Sequence, residues 1–244
     1  MAWYILSGTT NRKITGMVYP QAESVPTEVP YSIAIYSDYM RGPAPEDIFV
    51  PKFKLCYRAK LTEMVSVAMF IFPTQSIISE KFFHILKNFH SPPYQAFPTS
   101  VFDRKGIEHP YFVFMQNAPQ FHAADYERSV FSRIASMKEN GYEYIYEDFQ
   151  ASDYEEVRLL KGRWASALYI KEDIEWDFFL LAAPPFLWMV NEKVAEALRA
   201  ANITGICLIP FQQGDDWVND ELFMRVMRIE QPEWGGHQQT NKIT

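Results

Sequence analysis

The chain has 244 residues, 48% hydrophobic and 22% charged, with 23 Lys and Arg against 30 Asp and Glu for a formal net charge of −7. That length can bury a core as one large domain or two small ones. The acidic balance excludes a general nucleic-acid binder, which needs a basic footprint to displace counterions from phosphate.

Aromatic residues reach 16%, with 19 Phe, 14 Tyr and 6 Trp. So many rings must fill a packed interior or meet a partner, because Tyr and Trp favour half-buried positions at interfaces. At the start, MAWYILSGTTNRK lacks a basic n-region and has only a short apolar stretch, so it does not read as a secretion signal. The segments PQAESVPTEVP (20–30) and GPAPED (42–47) read as loops, with PYSIAIYSDY between them as a strand. Cys56 and Cys207 lie in apolar runs and form no CxxC pair, which suits reduced, structural thiols in a cytoplasmic protein. The longest apolar run, FFLLAAPPFLWMV, is broken by Pro and too short to span a bilayer.

One stretch occurs twice in related form: IISEKFFHILKNF at 77–89 and MVNEKVAEALRAA at 189–201. Aligning 73–98 with 185–210 without gaps gives five identities in 26 positions: Pro73/Pro185, Glu80/Glu192, Lys81/Lys193, Leu86/Leu198 and Pro98/Pro210. Average residue usage would give roughly one or two. Ser79 and Asn191 are both N-cap residues by type, each followed by an acid that complements the positive helix end. Apolar residues at Phe82, Ile85, Leu86 and Phe89, and at Val194, Ala197, Leu198 and Ala201, give one buried helical face in each copy. The second helix stops near Asn202 and Gly205, where Gly tolerates positive φ. The strands YQAFP and GICLIP close the units.

Further strands are expected at YFVFMQ (111–116), YEYIYEDF (142–149) and SALYI (166–170). The expected class is therefore α+β: two related strand–helix–strand halves packed with mostly antiparallel sheet. Residues 1–60 read as a β-rich segment, 61–135 as the first half, 136–235 as the second and 236–244 as a polar tail. A single compact domain is the alternative.

Local catalytic signatures are missing. No GxSxG, P-loop or GxGxxG occurs, and the five histidines show no helical metal spacing. His84 lies off the apolar stripe of its helix, and His109 reads as a loop residue ahead of a strand. No cofactor or metal is expected. The densest charged feature is ENGYEYIYEDFQASDYEE at 139–156, with seven carboxylates and no Lys or Arg. Strand alternation would put Tyr142, Tyr144, Tyr146 and Asp148 on one face and Glu143, Ile145 and Glu147 on the other. With Asp153, Tyr154, Glu155 and Glu156 the stretch reads in two ways. It is a docking surface, in which tyrosines give rigid contact area and carboxylates steer in a basic partner. Or it is a strand packing its tyrosines, with a solvated acidic face and loop.

The second unit, MVNEKVAEAL followed by ANITGICLIPF, resembles the closing stretch of bacterial polymorphic-toxin immunity proteins, families eleven and forty-three. IISEKFFHIL…YQAFP…YFVFM is similar to their earlier half, and ADYERSVF (124–131) to a middle segment of Asp-Tyr/Phe-Glu-x-Ser character. The likeness covers roughly residues 70–212. Asn191 stands where Ser is usual, and Cys207 where an acidic or polar residue is common. The resemblance implies a cytoplasmic inhibitor rather than an enzyme, which binds a cognate contact-delivered toxin domain and covers its active site. It brings no catalytic residues. An enzyme whose site assembles between the two halves, from groups such as His122, Asp125 and Glu127, is the other reading.

Overall fold

The computed structural model describes residues 1–9, 11–16, 20–25, 43–67, 75–137, 144–159, 164–182 and 186–214. The expected strand near 30–39 and the tail 236–244 lie outside them. Within them the chain forms an α+β fold in which sheet dominates, with all strand pairings antiparallel except one. The strands are β1 (Trp3–Gly8), β2 (Ala22–Ser24), β3 (Phe53–Leu55), β4 (Met64–Val65), β5 (Gln75–Ser79), β6 (Tyr94–Phe102) and β7 (Glu108–Gln116). They continue with β8 (Val130–Met137), β9 (Tyr144–Phe149), β10 (Trp164–Ala167), β11 (Phe178–Leu181), β12 (Leu187–Asn191) and β13 (Ile206–Phe211). The helices are α1 (Arg12–Thr15), α2 (Glu80–Leu86), α3 (Tyr154–Leu159) and α4 (Glu192–Ala200).

Both repeated stretches run strand, capped helix, strand: β5–α2–β6 and β12–α4–β13. Ser79 Oγ accepts from Phe82 N at 3.2 Å, and Asn191 Oδ1 from Val194 N at 3.1 Å. The strands of one unit are not neighbours. β7 lies between β5 and β6, and β1 lies between β12 and β13, antiparallel to both strands it separates. Each sheet adds an outer strand, β4 beside β5 and β11 beside β12, so β4-β5-β7-β6 in one matches β11-β12-β1-β13 in the other. The first sheet continues through β3 and β2 to six strands, with β3 parallel to β6.

The two units also share a clasp. Glu63, just before β4, accepts from the N-cap amide of its own unit, Ser79 N, at 2.7 Å. Asp177, just before β11, accepts from Asn191 N at 2.8 Å. Each carboxylate then reaches the loop after the opposite unit's helix. Glu63 accepts from Thr204 N at 2.8 Å, and Asp177 from His90 N at 3.0 Å. Lys81 lies 3.8 Å from Glu63, and Lys193, its aligned counterpart, 4.0 Å from Asp177. Burial opposes ionisation of Glu63, but hydrogen bonds from Thr204 and the charge of Lys81 outweigh it and hold the carboxyl below its ordinary value.

β5, β11 and β12 are buried on both faces, which explains their nearly continuous apolar runs. On one side of the second sheet, Leu6, Phe178, Leu180, Trp188 and Val190 meet Ile78 and Phe114 of the first sheet around Phe82, Leu86, Val194 and Leu198 of the two helices. On its other side, Trp3, Ile5, Phe179, Leu181 and Met189 pack on Phe131 and Ala165 of the β10-β8-β9 sheet and on Leu168 just after β10.

Several expectations need correction. β1 belongs to the second unit's sheet, so the boundaries drawn at residues 60 and 135 do not follow the sheets. His109 sits inside β7 rather than in a loop. SALYI is a strand only as far as Ala167. α4 closes on its C-cap Ala201 and the chain turns away through Asn202 at φ +50, while Gly205 at φ +83 meets a neighbouring chain segment: a Cβ there would lie 2.2 Å from Met64 O. Neither Cys56 nor Cys207 forms a disulfide, both are half-buried as reduced thiols, and burial followed by the charge of Glu23 pushes the Cys56 thiol up.

Candidate binding groove

The described part of the acidic stretch, 144–156, runs from β9 through a short loop into α3. Tyr142 and Glu143 lie outside the described residues. Tyr144 and Tyr146 take their places in β9 opposite Met137 and Ile134, with a bulge in β8 between Ile134 and Ser136 shifting the register. Glu147 Oε2 accepts from Arg133 Nη2 at 2.8 Å, and Asp148 accepts from the hydroxyl of Ser132. Asp153 caps α3 by accepting from Glu156 N at 3.0 Å, while Glu156 reaches back to Ser152 N at 2.7 Å, a reciprocal arrangement akin to a capping box. Glu155 pairs with Arg158 at 2.7 Å, which raises the arginine's pKa. Part of this charge therefore builds local structure.

The same segment, 152–155, also lines a groove. One depression of about 400 Å³ is lined by Phe121, His122, Tyr126, Ser152, Asp153, Tyr154, Glu155 and Lys171. A second, of about 480 Å³, shares Tyr126, Ser152 and Lys171 and adds Ala124, Asp125, Glu127, Arg128, Glu172 and Asp173. The rings of Phe121 and Tyr154 meet with centroids 4.0 Å apart. Tyr126, 8% exposed, shares this lining and donates to Ala182 O at 3.2 Å. Burial, then Tyr154 and Asp153, push its phenol above the ordinary range. The wall carrying Asp125 is a tight turn: Arg128 N donates to Asp125 Oδ1 at 3.2 Å, and Ser129 Oγ to Asp125 O at 2.6 Å. Arg128 is drawn over the Tyr169 ring at 4.5 Å.

Asp125, Glu127, Asp153, Glu155, Glu172 and Asp173 thus line a region in which Arg128 and Lys171 are the lining cations and Arg158 pairs with Glu155. Such a concave acidic surface attracts basic groups, and aromatic rings on its floor supply contact area. Phe121, Lys171, Glu172 and Asp173 were not singled out from the sequence; the run KEDIEWD at 171–177 carried the signal. His122, Asp125 and Glu127 do come to this region, though no hydrogen bond joins His122 to them among the described residues. The groove lies beside the β8–β10 layer, not between the two units. There the space is filled by apolar side chains around a cavity of about 20 Å³. Among the described residues, no group of three or more His, Cys, Asp and Glu is placed to hold a metal ion. No helix among them is long and apolar enough to cross a membrane.

No protein-family model matches the chain, and no curated protein sequence matches it at a significant level.

Proposed function

We propose that this chain is an immunity protein, built on a duplicated strand–helix–strand unit, that binds a cognate contact-delivered bacterial toxin and covers its active site. The observation that carries this reading is the groove around Tyr126, where carboxylates from three chain segments converge beside the packed rings of Phe121 and Tyr154. Its turn at 125–129 belongs to ADYERSVF, one of the segments that resemble the immunity families. The matched clasps of Glu63 and Asp177 support the duplicated unit. The partner is a toxin domain with a basic surface, as a domain acting on nucleic acid or nucleotides has. It is held by a few aromatic and charged anchors and drawn in by long-range charge.

The test is growth of a susceptible bacterium expressing the C-terminal domain encoded by the adjacent gene, with and without this protein. Rescue, together with a co-purifying 1:1 complex, is the expected result. Toxicity without rescue would overturn the reading. A second experiment addresses the groove: reversing Glu127, Glu172 and Asp173 to Lys slows association at least tenfold at low salt and less at high salt. Unchanged association kinetics would remove the groove from the interface.

A further inference from the structure

At the end of the six-stranded sheet where β3 gives way to the loop toward β4, the surface changes sign. KFKLCYRAK, residues 52–60, holds four cations and no acid in a chain of net charge −7. Tyr57 stands 74% exposed at its tip. Two guanidinium groups from separate loops lie over its ring: Arg58 at 5.3 Å, and Arg104 of the β6–β7 turn at 5.6 Å. Both arginines are exposed, and among the described residues neither has a carboxylate within ion-pair distance. Of the nearby acids, Glu23 stands opposite Lys54 in the β2–β3 register, and two others are engaged. Asp103 accepts from the amides of Lys105 and Ile107 at 2.8 and 2.9 Å, and Glu108 pairs with Lys52 at 2.8 Å.

The presentation is rigid. Arg58 has φ +69, a conformation disfavoured for a side chain of this kind. The turn is closed by Ala59 N to Cys56 O at 3.0 Å and anchored by Cys56 N to Gln21 O and Lys60 N to Thr15 O, at 2.8 and 2.7 Å. Gly16 at φ +78 lets α1 pass against it; a Cβ there would lie 2.0 Å from Arg58 O. Backbone strain held by packing from three segments, beneath an exposed Tyr set between arginines, marks a surface shaped for contact. Tyr and Arg dominate the energetics of protein interfaces, and arginines already ordered on a ring lose less freedom on binding.

We propose that Tyr57, Arg58 and Arg104 form a docking surface for an acidic protein segment, its carboxylates received by the two guanidinium groups. Charge complementarity selects an anionic occupant. The small size of the patch selects a peptide over a nucleic acid, whose evenly spaced phosphates would run on across an acidic molecule. This surface is separate from the groove and does not depend on the toxin reading.

The experiment is an amide chemical-shift titration of the full chain with decaglutamate, with the ten-nucleotide oligomer dT10 as the competing polyanion. Saturable shifts at Tyr57, Arg58, Arg104 and Lys105 are expected with decaglutamate. They should weaken at least threefold in Arg104→Ala, which leaves the Cys56–Ala59 turn intact, and again in Arg58→Gly, which keeps the positive φ. No shifts, shifts centred elsewhere, an undiminished response in Arg104→Ala, or tighter binding of dT10 to the same amides would each overturn the proposal.

Discussion

Asp177 and His90 hold each other at two points: the Asp177 amide donates to the His90 carbonyl at 2.7 Å, and the Asp177 carboxylate accepts the His90 amide at 3.0 Å. Glu63 and Thr204 repeat the exchange in the other unit, with Met64 N supplying the bond to Thr204 O at 3.2 Å. Each acid ties the start of an outer strand to the loop after the opposite helix. Removing either carboxylate leaves backbone amides without their charged acceptor. Asp177→Ala should cost about 2–3 kcal/mol, read as a lower urea midpoint at unchanged m-value.

The Glu63 clasp makes stability depend on pH in a defined direction. Its folded-state pKa lies below the ordinary value, so its contribution is fully present above the unfolded pKa of about 4.3. That contribution is lost as pH falls through the folded value. The stability difference between the native chain and Glu63→Gln should therefore be constant near pH 7 and shrink below about pH 4. A difference that grew on acidification would contradict this account.

Two glycines separate close packing from backbone strain. Gly205→Ala at φ +83 would put a methyl group 2.2 Å from Met64 O and 2.7 Å from the Thr62 hydroxyl. The expected cost is about 2–4 kcal/mol by denaturant titration. Gly106 has a similar φ of +79 but nothing within 4 Å of a Cβ. Gly106→Ala should cost only the conformational penalty, about 1–2 kcal/mol.

Exchanging the two N-caps tests how far the units are equivalent. Ser79→Asn should be nearly neutral, because Asn and Ser cap comparably well. Asn191→Ser should keep the bond to Val194 N but lose the one from Nδ2 to Asp177 Oδ1 at 2.6 Å. It should therefore cost about 1–2 kcal/mol, measured in the same urea titration.

The capped helices were legible because their signals are local. Ser79 and Asn191 stand at the right distance from apolar residues spaced on one helical face, and no distant partner is needed to recognise that. The placement of β1 between β12 and β13 was not legible, because pairing of Ile5 with Met189 and Ile209 leaves no periodic trace in either stretch. His109 was misplaced since a following Pro suggests a break, yet β7 carries Pro110 opposite Ser100 in regular register. The groove was half visible. Asp153, Tyr154 and Glu155 stood out by density, whereas Phe121 and the 171–173 segment join them only through folding.

The position of β1 also bears on how the chain comes off the ribosome. The segment from β2 to β7 can pair its strands as soon as residue 116 has emerged. β1 finds its neighbours only when β12 and β13 appear almost 200 residues later. Until then, a strand with an apolar face on each side must wait beside a partly folded nascent chain, exposed to aggregation and to chaperones. A permuted gene that moves residues 1–9 to follow β13 would shorten that wait and should fold faster during synthesis while reaching the same sheet.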